Sequence, residues 1–97
     1  MSKLKRDEII KIVSDILSKD RQNTYSKPEN NFQSIANLWN EYLEVDKILL
    51  SARDVATMMI LLKIARMKSS PEYLDNYIDA AGYAIIAGSF CNIEDKK

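Results

Sequence analysis

Apolar positions recur at helical spacing in four stretches of the 97-residue chain. In the first, Ile9, Ile12, Val13 and Ile16 stand at i, i+3, i+4 and i+7, one stripe of a helix over about residues 3–18. Lys5, Glu8, Lys11 and Asp15 lie away from it. Pro28, preorganised for a first helical position, opens a second helix over about 28–44. Its apolar face is Phe32, Ile35, Ala36, Trp39, Tyr42 and Leu43. At about 100° per residue, Glu41 and Glu44 point to the other side. Ser51, with Asp54 three residues on, caps a third helix over about 52–68. This helix is apolar nearly all round, as suits a central one. Val55, Met59, Leu62 and Arg66 share a stripe, so Arg66 projects from an apolar face with Lys63 on its flank. Ser69-Ser70-Pro71-Glu72 reads as the start of a fourth helix over about 71–90. No strand pattern or internal repeat competes. The pattern predicts an all-α four-helix domain occupying 1–97 as one unit.

The fourth helix has two faces worth covering. Tyr73, Leu74, Tyr77, Ala80, Ala81, Ala84 and Ile85 form a broad face expected to dock on the other helices. Asp75, Asp79, Gly82, Tyr83, Ile86 and Phe90 form the opposite side, too apolar to be simply solvated. A neighbouring subunit, a ligand or the third helix must cover it. The small residues suggest close packing. Self-association through the third or fourth helix follows as an expectation, since a chain this short buries a modest core.

Composition removes several function classes. Lysine and arginine total 14, aspartate and glutamate 14, so there is no basic excess and no DNA or RNA partner is expected. There is one cysteine and no histidine. That excludes an internal disulfide, a Cys/His zinc site and histidine-assisted serine or cysteine catalysis. Cys91, near the end of an apolar run, reads as a packed thiol. No run approaches roughly 18 uncharged apolar residues and the N-terminus lacks a signal-peptide core, so a membrane partner is not expected and a cytoplasmic setting is.

The remaining charges suggest chemistry. Burying a carboxylate or guanidinium alone costs several kcal/mol, so Arg66 and Asp79 are expected to pair between consecutive helices. Such a pair either fixes helix register or walls an anion site, with Arg66 and Lys63 taking phosphate. The polar stretch from Lys19 to Lys27 is longer than a helix–helix turn needs. It is either a connection that Tyr25 pins to the core or a binding loop. In the second case Arg21 and Lys27 contact an anion and Tyr25 stacks. Asp75 and Asp79, one turn apart, would alternatively hold Mg²⁺ with water and phosphates.

The run Asp20-Arg21-Gln-Asn-Thr-Tyr25, then Pro28-Glu29-Asn-Asn31-Phe32 and Ile35-Ala-Asn-Leu-Trp39, resembles a small domain of phage and prophage proteins. So do Asp54-Val55-Ala-Thr-Met58-Met59, Leu62-Lys63-Ile-Ala-Arg66 and Asp75 through Ala84. The likeness covers roughly residues 12 to 88, and departs where Ser26 replaces a glycine after the loop tyrosine. The pattern is also similar to all-α, MazG-like nucleotide pyrophosphohydrolases, which are oligomeric and use Mg²⁺ between two acidic motifs. That resemblance puts Asp75 and Asp79 near the second motif, at i, i+4 instead of i, i+3, and leaves the first motif missing. It implies a nucleotide-sized pocket more than hydrolysis. The expectation is non-catalytic binding of a phosphate-bearing, nucleotide-like molecule, without a cofactor, by Arg21, Tyr25, Lys27, Lys63, Arg66, Asp79 and Tyr83. By analogy with small phage proteins that counter host defences, sequestration of a nucleotide signal in the host cytoplasm is one form of it. The alternatives are a Mg²⁺-dependent MazG-like hydrolase and an accessory protein that binds and inhibits a host protein.

Overall fold

The computed structural model describes residues 2–20, 28–44 and 49–93. Over these residues it is all-α, with four α-helices: α1 (Arg6–Asp15), α2 (Pro28–Leu43), α3 (Ala52–Ser69) and α4 (Leu74–Gly88). A π-helical turn, Ile16–Asp20, continues α1. No strand occurs among the described residues. The helices pack in the spatial order α2, α3, α4, α1, each mainly against its neighbours, with α3 and α4 the most extensive pair. The short α3–α4 connection makes that pair a helical hairpin. The arrangement is open: the radius of gyration is 15.2 Å, against about 12.5 Å for a compact chain of this length.

The starts of the helices follow local chemistry. At α1 the Lys5 backbone N–H donates to Glu8 Oε1 at 2.7 Å, so the helix begins at Arg6, three residues after the expected start. At α3 the expected capping box forms. Ser51 Oγ accepts from the Asp54 backbone N–H at 3.1 Å, and Asp54 Oδ2 accepts from the Ser51 backbone N–H at 2.8 Å. Those bonds, the backbone one first, hold the Asp54 carboxyl below its ordinary value. The fourth helix corrects the sequence reading. Pro71 and Glu72 lie in a turn, closed by the Tyr73 N–H donating to the Ser70 carbonyl at 3.1 Å, and α4 begins at Leu74. Ser-Pro suits the first two positions of a β-turn as well as a helix start, and here the turn prevails. The Tyr77 hydroxyl donates to the Pro71 carbonyl at 2.8 Å and ties the turn to α4.

A small core joins α2 and the first half of α3. Phe32, Ala36, Ala52, Val55 and Ala56 are buried together, with Ile35, Trp39, Met59, Tyr83, Ile86, Ala87 and Phe90 packed around them. The apolar stripe of α1 behaves as its spacing predicts, with Val13 buried and Ile9, Ile12 and Ile16 half-buried. On α2 the stripe runs out: Tyr42 and Leu43 are exposed, as are Glu41 and Glu44. Glu44 ends α2 with a φ of 55°, a left-handed conformation in which glycine or asparagine is more usual.

The orientation of α4 differs from the expected one. Of the face expected to dock, Tyr73, Tyr77, Ala84 and Ile85 are exposed and Leu74, Ala80 and Ala81 half-buried, while Tyr83, Ile86 and Phe90 of the other side pack on the core. Nor do its glycines serve close packing, because a Cβ at Gly82 or Gly88 would meet nothing within 4 Å. Cys91, expected to be packed, is exposed.

One clamp was not foreseen. Asn40 of α2 donates from Nδ2 to the Leu50 carbonyl at 3.1 Å and accepts from the Leu50 N–H at 2.7 Å. Two half-buried backbone groups are thereby satisfied just before α3. Asn40→Ala is expected to cost about 1–2 kcal/mol in urea-induced unfolding, because both groups lose their partner.

Candidate functional site

The cleft with the most chemistry lies between α1 and α4. Val13, Ile16 and Leu17 line one side, and Ile78, Asp79, Gly82, Tyr83 and Ile86 the other, around about 60 Å³. On α4 these positions fall at i, i+1, i+4, i+5 and i+8, one helical face. On α1, Val13, Ile16 and Leu17 stand at i, i+3 and i+4, again one helical face, with the last two opening the π turn; such turns are frequent at functional sites. The walls are apolar apart from Asp79, the Tyr83 hydroxyl and backbone.

Asp79 is met from α3 by Lys63, whose Nζ lies 3.0 Å from Asp79 Oδ2. The Lys63 side chain is 12% exposed and that of Asp79 is 33% exposed. The expected pairing of Asp79 with Arg66 is therefore corrected: Lys63 is the partner, and Arg66 is exposed. The reason is the direction of α3. Ala52, Ala56, Met59 and Lys63 face inward, whereas the stripe Val55, Met59, Leu62, Arg66 turns outward after Met59. Lysine suits such a site because its stem packs along apolar surface while the ammonium reaches the carboxylate.

Of the other expected site residues, Tyr83 lines the cleft, half-buried, with its ring centroid 6.0 Å from that of Phe32 at a tilt of 36°. Asp75 is exposed and absent from the cleft lining. Arg21, Tyr25 and Lys27 lie outside the described residues. They follow in the chain directly from the π turn that supplies Leu17 to the cleft. Among the described residues, no three acids, cysteines or histidines come together as metal ligands. Asp75 and Asp79 thus offer two carboxylates, one already paired with a cation. Among the described residues, no helix is long and apolar enough to cross a membrane.

Sequence reasoning missed Val13, Ile16, Leu17, Ile78, Gly82 and Ile86 as cleft residues. Gly82 carried the available signal: a glycine inside a helix weakens it, and nothing in the packing requires one here.

This is a small all-α domain with a lysine–aspartate pair beside an apolar cleft. Residues 8–91 match the family described as a domain of unknown function, DUF6378, and the chain belongs to that family. It is similar to two phage proteins. The Gene 55 protein of Mycobacterium phage D29 is 38% identical over 78 residues, which cover 80% of this chain and 50% of the relative. The Gene 55 protein of Mycobacterium phage L5 is 34% identical over 89 residues, covering 92% of this chain and 56% of the relative. The chain spans about half the length of the curated relatives it matches. No solved structure matches. The resemblance to a small phage domain is thereby borne out.

Proposed function

We propose that the domain binds a small phosphate-bearing, nucleotide-like molecule and holds it without turnover. The observation that carries this reading is the Lys63–Asp79 pair beside the apolar α1–α4 cleft. An aromatic ring edge suits the apolar walls, with Tyr83 beside it and Asp79 accepting from an exocyclic amine. Pockets that enclose drug-sized ligands run to roughly 300–1,000 Å³, so the cleft takes only part of such a ligand. The phosphates lie outside it, toward Lys63 and Arg66. In a phage protein, retention without turnover suits the sequestration of a nucleotide signal in the host cytoplasm.

Calorimetric titration with a panel of mono-, di- and cyclic nucleotides tests the reading. Lys63→Met and Asp79→Asn are each expected to weaken the best ligand about tenfold or more, the loss of one charge-assisted bond. Undiminished affinity in both variants overturns it.

The spacing of Asp75 and Asp79, one turn apart on α4, favours a second reading, the Mg²⁺-dependent MazG-like hydrolase. Release of pyrophosphate or nucleoside monophosphate with Mg²⁺, lost in Asp75→Asn, would replace binding by catalysis. Capture of a host protein with no nucleotide affinity would instead favour the accessory-inhibitor reading.

A further inference from the structure

We infer that the outer face of α3 docks on the same face of a second copy of this chain, the two helices running antiparallel about a two-fold axis. Met58, Leu61, Leu62 and Ala65 stand at i, i+3, i+4 and i+7, the spacing of one helical stripe. All four are exposed, Met58 at 41%, Leu61 at 58% and Leu62 at 41%. They lie across the helix from Ala52, Ala56, Met59 and Lys63, which face the rest of the domain. α3 is apolar on both sides, yet its neighbours cover one.

Area and charge identify the occupant. The chain exposes 7987 Å², whereas a compact chain of 11.1 kDa exposes about 5,700 Å². A standard two-protein contact buries about 800 Å² on each partner, well within that excess. The face also carries opposite charges at its ends. Asp54, Leu61 and Lys68 stand at i, i+7 and i+14, with Asp54 in the first turn of α3 and Lys68 in the last. An antiparallel crossing centred on Leu61 sets Asp54 of each copy against Lys68 of the other. It also opposes the helix dipoles favourably. A parallel crossing would set acid on acid. One patch that complements itself in this way forms a closed, isologous dimer. This inference is independent of the ligand reading.

Sedimentation equilibrium of the full chain across micromolar concentrations tests it. The expected result is a monomer–dimer equilibrium that stops at two copies. Leu61→Glu should raise the dissociation constant about tenfold or more, as loss of a central apolar anchor does. Lys68→Glu should weaken the dimer, while Arg53→Glu, off this face, should leave it unchanged. Unaltered helical circular dichroism establishes that each variant is folded. The inference is overturned if the protein stays monomeric at every concentration, or if the assembly ignores both Leu61→Glu and Lys68→Glu.

Discussion

Phe32→Ala is expected to lower the free energy of unfolding by about 3–4 kcal/mol, the usual cost of removing a buried phenylalanine. Phe32 is 7% exposed and is the largest member of a buried cluster that otherwise holds alanines and Val55. The alanines beside it have no rotamers to shift into the space, so any filling falls to the half-buried side chains packed around the cluster. The variant also loses the ring contact with Tyr83, and such aromatic pairs are worth about 0.5–1.5 kcal/mol beyond the area they bury. Against the roughly 5–15 kcal/mol that holds a domain folded, this is a large fraction. Because Tyr83 lines the cleft, the substitution loosens the site as well as the core. Phe32→Leu, which keeps most of the volume, should cost less than half as much. Urea titration followed by Trp39 fluorescence reads both, since Trp39 packs on this cluster. A shift below about 1 kcal/mol for Phe32→Ala would show that the α2–α3 core is not the seat of stability.

The same cluster shows why parts of the fold were legible in the sequence. On α1, and on α2 as far as Trp39, strongly apolar residues alternate with polar or charged ones at helical period, so both the helix and its inward face can be read. The Ser51–Asp54 capping box fixes the start of α3 for the same local reason. On α3 and α4 the apolar residues run around the cylinder. Period then says helix but does not say which side faces in. That ambiguity placed Arg66 in the interior, where Lys63 stands, and directed Tyr77, Ala84 and Ile85 at neighbours they do not meet. The inward stripe of α3 begins with two alanines, which allow close approach but carry little hydrophobic signal. The cleft was half legible: Asp79 and Tyr83 were found from their chemistry. Its α1 wall depends on which neighbour α1 chooses, and that is a tertiary matter.

Gly82→Leu is expected to abolish ligand binding at the α1–α4 cleft while leaving the domain folded. Gly82 sits inside α4, where glycine costs about 1 kcal/mol relative to alanine. A Cβ added there meets nothing within 4 Å, so packing does not demand the glycine. What its absence of side chain does is leave room, since Gly82 lines the cleft between Asp79 and Ile86. Gly82→Ala should therefore stabilise the protein by about 1 kcal/mol, the helix-propensity gain, with a small effect on binding. Leucine should keep part of that gain and add apolar burial against Val13 and Ile16. Its branched end, however, occupies the space of about 60 Å³ that a ligand's ring edge would enter. A loss of about 100-fold or more in affinity corresponds to roughly 2.7 kcal/mol or more of binding energy, the scale expected when a ring is shut out. Calorimetric titration of the wild type and both variants, with thermal unfolding beside it, separates the two effects. If Gly82→Leu binds as tightly as wild type, the ligand does not use this cleft, and Lys63 and Asp79 serve only to join α3 to α4.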